Sequence, residues 1–211
     1  MKNKNIISYW NKYYSKEFNF NESSFARFIL NYVKGTKKKS LVDIGCGNGR
    51  DSIFFFKKGF NVTGLDISKT AIKKNSLISN KNLSFYVFDI EKNTTSKKFD
   101  FIYSRFFIHA LSETGENKFI NLINKIKKKN TLIFLEFRNS KDEIFNKFKN
   151  KNHNNFINFG NGHYRRVIDT KKFISNFIKK NNSKIIYSKS SKNLSIVKKD
   201  NPNLSRLIFI L

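Results

Sequence analysis

The sequence predicts an α/β fold built on a doubly wound, mainly parallel sheet with helices on both faces. Short apolar segments alternate with amphipathic ones from residue 41 onward, which is typical of repeated βα units. A glycine-rich turn follows the first apolar segment, and acidic residues end the next two. Such residues belong at the carboxyl edge of a parallel sheet, where ligands bind. We therefore expect one domain over residues 1–211 with a ligand site at that edge.

The individual elements follow from the spacing of the apolar residues, which alternate in strands and recur with the helical period in helices. Gly59 ends the first helix after the glycine-rich turn, and Ser68 is placed to cap the next one. The central part of the chain is predicted to form strands at 41–45, 61–66, 83–89, 99–104 and 131–137, and helices at 50–58, 68–79 and 116–129.

The two ends of the chain are less regular. Residues 1–40 hold an aromatic stretch and a helical segment at 24–32, and we expect them to form a lid on the sheet. A helix at 170–180 and a closing pair of strands, 184–190 and 206–211, complete the prediction.

An insertion at residues 139–169 separates the fifth strand from the last helix. It is rich in Asn and Lys and far longer than the usual connection between a strand and a helix. Long loops in compact domains are typically functional, so we expect this insertion to cover the ligand site.

The composition is strongly basic, with 42 Lys and Arg against 15 Asp and Glu, a net charge of +27 and a pI near 10.1. A nucleic-acid surface would gather this charge on one face and would favour arginine. Here seven of the basic residues are arginine, and the lysines form short scattered runs. The charge is better explained by an AT-rich genome, whose codons favour lysine, than by a nucleic-acid partner.

Other classes of protein are excluded by simple counts. Cys46 is the single cysteine, so neither an internal disulfide framework nor a cysteine-based metal site is expected. No apolar run reaches the roughly 18 residues of a membrane span, and the amino terminus does not read as a secretory signal. We expect a cytoplasmic protein without a bound metal, and the sequence leaves its oligomeric state open.

The strongest motif lies between the first strand and the following helix. Gly45, Gly47 and Gly49 give the spacing G-x-G-x-G, in which the backbone can turn tightly and approach a ligand. This spacing differs from the dinucleotide fingerprint and from a phosphate-binding P-loop. Asp66 ends the next strand, where an acid can accept both hydroxyls of a ribose, and Asp89 ends the one after it. These positions converge on one crevice.

With these motifs the chain resembles, from about residue 38 onward, the class I methyltransferases that depend on S-adenosylmethionine (SAM). The resemblance implies a Rossmann-like, seven-stranded sheet whose last strand is antiparallel. It also implies that residues 43–49 wrap the methionine part of SAM, that Asp66 binds the ribose and that Asp89 contacts the adenine amino group. The cofactor-binding residues expected on this basis are Asp43, Gly45, Cys46, Gly47, Asn48, Gly49, Arg50, Asp66, Ile67, Asp89, Ile90 and Ser104.

A narrower resemblance rests on residues 45–52, 136–138, 163–166 and the turn at 199–202. These segments look like bacterial methyltransferases that modify small molecules and saccharides and are related to the tellurite-resistance and thiopurine types. The implied function is methyl transfer to a small acceptor, with O-methylation of a sugar or related metabolite favoured.

Candidate acceptor residues follow from their chemistry. His109 comes just after the fourth strand and could remove a hydroxyl proton, although a structural histidine fits the same position. Guanidinium groups bind phosphate or carboxylate, so the arginines near the carboxyl edge predict an anionic acceptor, unless they pair within the protein. The expected substrate-binding residues are Arg105, Arg138, His163, Tyr164 and Arg165, with Arg166 beside them.

Two rival functions share the predicted SAM site. An RNA or DNA methyltransferase would use the lysines, but Ser104-Arg105-Phe106-Phe107 stands where the tetrapeptide of the amino-methylating enzymes would be. A non-catalytic SAM-binding protein would keep the glycines and Asp66 and would need no acceptor residues.

Overall fold

The computed structural model describes residues 2–16, 21–147, 152–153, 156–160, 163–196 and 200–211. Parts of the predicted lid (17–20), of the predicted insertion (148–151, 154–155 and 161–162) and Lys199 of the closing turn lie outside the described residues. Two helices, α1 (Lys2–Ser15) and α2 (Ser24–Val33), precede the sheet. The hydroxyl of Ser23 accepts a hydrogen bond from the Ala26 amide and so caps α2.

The predicted βα units are present in the predicted order. They comprise β1 (Ser40–Ile44), α3 (Arg50–Lys57), β2 (Asn61–Asp66), α4 (Lys69–Ser76), β3 (Leu83–Val87), β4 (Phe99–Arg105), α5 (Glu113–Ile126) and β5 (Lys127–Arg138). A short 3-10 turn, Ile108–Ala110, lies between β4 and α5.

Several predicted boundaries are wrong by a few residues. The fifth helix begins at Glu113 because Ser112 caps it, with its hydroxyl accepting from the Gly115 amide. That helix ends at Ile126, and the strand predicted from residue 131 already begins at Lys127. The helix predicted to reach residue 79 ends at Ser76, before a turn in which Asn80 and Leu83 exchange backbone hydrogen bonds.

The region predicted as an insertion contains regular structure of its own. It holds α6 (Glu143–Lys147) and three short strands, β6 (Asn152–His153), β7 (Phe156–Asn158) and β8 (Tyr164–Arg166), which pair as a small antiparallel sheet. The chain then closes with α7 (Thr170–Asn181), β9 (Lys184–Ser191) and β10 (Leu204–Ile210).

The main sheet has seven strands in the order β3-β2-β1-β4-β5-β10-β9. Strands β1 to β5 pair in parallel, and β10 lies antiparallel to both β5 and β9. The predicted doubly wound, seven-stranded sheet with an antiparallel last strand is therefore confirmed. Strand order reverses beside β1, which places the ligand crevice at the carboxyl ends of β1 and β4.

Apolar side chains cover both faces of the sheet because successive strand residues point to opposite sides. In β10, Leu207 and Phe209 pack with α5 and α7, whereas Ile208 packs with α2 and α3. Helices therefore bury both faces, as the sequence predicts. No helix within the described ranges has both the length and the hydrophobicity needed to cross a membrane.

Candidate functional site

A cavity of about 470 Å³ opens at the carboxyl edge of the sheet, between the glycine-rich turn and α1. This volume lies within the roughly 300–1,000 Å³ of typical small-molecule sites. Nine of the predicted cofactor residues line it: Asp43, Gly45, Cys46, Asn48, Arg50, Asp66, Ile67, Asp89 and Ile90. The other three, Gly47, Gly49 and Ser104, do not line the described cavity but lie on the segments that form it. The Ser104 hydroxyl donates to the Ile44 carbonyl, 2.7 Å away.

The glycine-rich turn has a backbone that other residues would strain. Gly45, Gly47 and Gly49 have φ angles of 80°, 54° and 73°. A Cβ on Gly45 would lie 2.6 Å from the Phe107 ring, and one on Gly47 would lie 2.2 Å from the Tyr14 hydroxyl. These glycines therefore allow both the tight turn and the close packing of Phe107 and Tyr14 against its backbone.

Asp66 stands at the end of β2 and holds the turn in place. Its Oδ2 accepts from the Gly47 amide at 2.8 Å, and its Oδ1 accepts from the Ser68 amide at 2.8 Å. Burial raises the pKa of Asp66, and the backbone amides oppose this rise. A carboxylate offers about four lone pairs, and the amides of Gly47, Ser68 and Ile67 leave room for one further donor such as a ligand hydroxyl.

Two further acids differ in their surroundings. Asp43 accepts a hydrogen bond of 2.6 Å from the Ser52 hydroxyl, and burial raises its pKa to about 8. Asp89 lies two residues beyond β3, lines the cavity and accepts from the Glu91 amide at 3.0 Å.

A buried network around Asp51 is a feature that the sequence did not reveal. Asp51 accepts from the Ser23 amide at 2.7 Å, from the Ser23 hydroxyl at 2.8 Å and from the Tyr103 hydroxyl at 2.7 Å. By its place in the sequence, in the first turn of α3, Asp51 indicates only an acid that complements the helix dipole. Its partners lie 28 and 52 residues away along the chain, so no local pattern could have indicated the network.

Helix α1 covers the cavity with aromatic side chains. Tyr9, Trp10, Tyr13 and Tyr14 line the wall on this side. The helix is fixed to α4 at two points. The Asn11 side-chain oxygen accepts from the Ser68 hydroxyl at 2.9 Å, and the Lys74 ammonium donates to the Tyr14 carbonyl at 2.9 Å. This position suits the predicted lid, whose role in binding remains a prediction.

A second group of lining residues, here called the acceptor end, comprises His109, Arg138, His163, Arg165 and Asp200. The predicted arginines differ in how they are compensated there. Arg105 lines the cavity nearby and donates from Nε to Glu136, 2.7 Å away. Arg138 pairs with Asp142 at 3.1 Å and also with Asp200.

Two residues of the predicted acceptor set are not part of the cavity wall in the described structure. The guanidinium of Arg166 pairs with Glu116 and donates to the Leu111 carbonyl at 3.2 Å, so it serves within the fold. Tyr164 is a half-buried residue of β8 outside the cavity lining. Pairing within the protein, the alternative that the sequence left open, accounts for Arg166.

Arg165 has no such carboxylate partner. Its Nη1 donates to the Tyr164 carbonyl at 2.9 Å, and its Cζ lies 5.4 Å from the Trp10 ring centroid. Among the described residues, no Asp or Glu oxygen lies within 4.0 Å of this guanidinium. Burial lowers the pKa of Arg165 to about 10. Arg165 is therefore a cation that faces the cavity and is free to bind an anion.

The two histidines of the acceptor end are held differently. The Nδ1 atom of buried His109 accepts from the Arg138 amide at 3.2 Å. The His163 ring stacks against Tyr9, 4.5 Å between centroids, and against Phe159, 4.8 Å between centroids. Burial, together with neighbouring arginines, lowers the pKa of His109 well below 6.5 and that of His163 to about 4. Both rings are neutral at pH 7.

Comparison with known proteins decides the family. A profile described as a methyltransferase domain matches residues 35–198, which is more than half of the chain. The chain belongs to the methyltransferase family. This methyltransferase is 32% identical over 132 residues to putative methyltransferase 235L of Invertebrate iridescent virus 6, covering 61% of the chain and 49% of the relative. It is 27% identical over 95 residues to the probable S-adenosyl-L-methionine-dependent methyltransferase TehB of Haemophilus influenzae, covering 44% of the chain and 32% of TehB.

These alignments span less than half the length of either relative. A solved SAM-dependent methyltransferase from Anabaena variabilis matches 98% of the chain and 93% of its own length, with a TM-score of 0.72 and 17% identity. At this identity the likeness shows the shared fold. The class I SAM-dependent methyltransferase family that the sequence indicates is thus confirmed.

SAM, the cofactor of this family, suits the residues present. Gly45 and Cys46 of the glycine-rich turn line the cavity, Asp66 can accept from a ribose hydroxyl, and aromatic rings of α1 can face a sulfonium. In the described ranges, no group of three or more His, Cys, Asp or Glu is placed to hold a metal ion.

Proposed function

We propose that this chain transfers a methyl group from SAM to a small acceptor that carries negative charge. Arg165 supports this proposal most directly, because its guanidinium faces the cavity with no carboxylate partner among the described residues. An uncompensated guanidinium binds carboxylate or phosphate with strong, charge-assisted hydrogen bonds. The volume of about 470 Å³ and the cover that α1 provides favour a small molecule over a nucleic-acid strand.

SAM, when bound, supplies a methyl group on a positively charged sulfur that leaves as a neutral thioether, S-adenosylhomocysteine. The chain's part is to hold both reactants in line, which can lower the barrier by roughly 7–11 kcal/mol. Asp66 would hold the ribose, Asp89 would contact the adenine, and the turn at 45–49 would hold the methionine part. O-methylation of a sugar hydroxyl, which the sequence favours, additionally requires a base to take the hydroxyl proton.

Calorimetry with SAM tests the donor half of the proposal. Asp66→Asn removes the carboxylate, and a hydrogen bond to a charged group is worth about 1.5–3 kcal/mol. We expect SAM affinity to fall at least about tenfold, since 1.4 kcal/mol corresponds to a factor of ten. Asp100→Asn, at the opposite edge of the sheet beside Ser40, is the matched control. If the wild-type chain does not bind SAM, or if Asp66→Asn binds it equally well, the proposal fails.

Acceptor kinetics test the second half. Arg165→Ala should raise the KM of an anionic acceptor or abolish turnover, while the SAM Kd stays unchanged. Arg27→Ala, which removes an exposed guanidinium paired with Glu22, should change neither quantity. Unchanged acceptor kinetics in Arg165→Ala would contradict this role. SAM binding without release of S-adenosylhomocysteine from any acceptor would favour the non-catalytic alternative.

A further inference from the structure

The hydrogen bond to His109 fixes the side of the ring that carries its proton. A neutral imidazole has one N–H and one lone pair. Because Nδ1 accepts from the Arg138 amide, the proton of His109 resides on Nε2. The lone pair that a base would use is therefore directed at the backbone of β5. Nε2–H is the group left to contact a substrate, and it is a donor.

The groups around His109 also keep its ring neutral. The charged and titratable groups around it are Arg138 from β5, Arg105 from β4, Arg165 from β8, and His163. All of them are positive or neutral near pH 7. They therefore oppose a further positive charge on the ring. Burial acts in the same direction and lowers the pKa of His109 well below 6.5.

The other groups at the acceptor end are equally poor bases in the described structure. The His163 ring is clamped between Tyr9 and Phe159, and its pKa of about 4 leaves little driving force to remove an alcohol proton. The Asp200 carboxylate is bound by the Arg138 guanidinium. Burial raises the pKa of Tyr9, so that its phenol keeps its proton at neutral pH.

We infer that the methylated atom is an oxygen of a small carboxylate, and that the product is a methyl ester formed without a base. This inference rests on the proposed function and names its substrate class. A carboxylate is already a nucleophile at pH 7, so it suits an acceptor end whose described residues offer donors and cations and no ready base. Arg165 can hold one of its oxygens, the Nε2–H of His109 can orient the group, and the second oxygen stays free to react.

The balance of the reaction distinguishes this substrate from an alcohol. The new bond joins the carboxylate oxygen to the methyl carbon, and the bond between that carbon and sulfur breaks. The electron pair of the broken bond remains on sulfur. The negative charge of the acceptor and the positive charge of the donor cancel, and no proton is released. A hydroxyl acceptor would release one proton for each methyl group transferred.

Binding is tested first, on the complex of the full chain with S-adenosylhomocysteine. The probes are short-chain and aromatic carboxylates, each compared by calorimetry with its primary amide and with the matching alcohol. We expect the carboxylates to bind at least about tenfold more tightly, and Arg165→Gln to remove the difference. Equal binding of carboxylates and amides, or no binding of any carboxylate, overturns the inference.

Turnover is tested with methyl-labelled SAM and the same compounds. A methyl ester releases labelled methanol in alkali, whereas a methyl ether does not, and proton release in weak buffer gives the second readout. We expect alkali-labile product, no proton per S-adenosylhomocysteine formed, and a flat kcat/KM between about pH 6 and pH 7, below the pKa of about 8 of Asp43. An alkali-stable product with one proton released refutes the inference, whereas absence of SAM binding refutes the proposed function itself.

The variant His109→Gln tests whether His109 acts as a hydrogen-bond donor or as a general base. The Gln amide oxygen can accept from the Arg138 amide while its NH₂ donates, so we expect activity to fall by no more than about tenfold. Loss of a general base typically costs about 10²–10⁴. A loss of that size, in a variant whose thermal unfolding matches the wild type, would contradict the donor role.

Discussion

Glu136 offers a test of how the buried charges hold the sheet edge. Its carboxylate is fully buried on β5 and accepts from Arg105 Nε at 2.7 Å and from Arg206 Nε at 2.6 Å. Burial lowers the pKa of Arg105, but Glu136, Tyr103 and Asp51 together outweigh burial, and the pKa is raised overall. Glu136→Gln keeps the shape and removes the charge, so Arg105 and Arg206 lose the carboxylate that they share.

The expected cost is about 3–5 kcal/mol, the range for removing one partner of a buried ion pair. In a chain of this size 1 kcal/mol shifts Tm by roughly 2–4 °C, so we expect a decrease of about 6–20 °C. Urea unfolding at pH 7 gives the free energy directly. Glu22→Gln breaks a solvent-exposed pair with Arg27 at 3.2 Å and should cost about 1 kcal/mol or less. If the two variants unfold alike, the buried cluster does not stabilise the fold as argued.

Two other predictions concern the glycine-rich turn and its neighbouring acid. Gly45→Ala should destabilise the chain and weaken SAM binding, because the added Cβ would lie 2.6 Å from the Phe107 ring. Gly35→Ala is the control, since Gly35 has a similar φ of 75° but open space around it. The difference between the two variants in urea unfolding measures the cost of the clash alone. Asp43 keeps, up to a pKa of about 8, a proton that the unfolded chain releases near 3.8. The free energy of unfolding should therefore fall as pH rises from about 3.8 to about 8, by up to about 1.4 kcal/mol per pH unit. Asp43→Asn should lack this dependence on pH. If the variant shows the same dependence as the wild type, Asp43 is not its source.

The SAM-binding half of the site could be predicted because its residues belong to short motifs at the ends of strands. The turn at 45–49 and Asp66 lie at the ends of consecutive strands, and the sheet topology alone brings them together. The acceptor half depends on contacts between distant residues. Arg206 and Glu136 are 70 residues apart, so the sequence could not show which arginines are already paired.

Backbone strain at the acceptor end was equally invisible in the sequence. Phe106 has a φ of 55°, which side-chain-bearing residues seldom adopt. Its amide donates to the Glu136 carbonyl at 2.8 Å, and its ring centroid lies 4.0 Å from the Arg105 guanidinium carbon. A phenylalanine carries no sequence signal for a left-handed position. The tertiary contacts impose it, and such strain concentrates at functional sites.

The distribution of positive charge explains why a site in so basic a chain can still be selective. A net charge of +27 attracts any anion to the surface and raises the rate of encounter, but it does not choose among anions. The choice requires a cation that no carboxylate of the protein has neutralised. Arg105 is paired with Glu136 and Arg138 with Asp142, so neighbouring carboxylates largely neutralise both charges. Arg165 lacks such a partner among the described residues, and the acceptor's own negative charge would complete the pair.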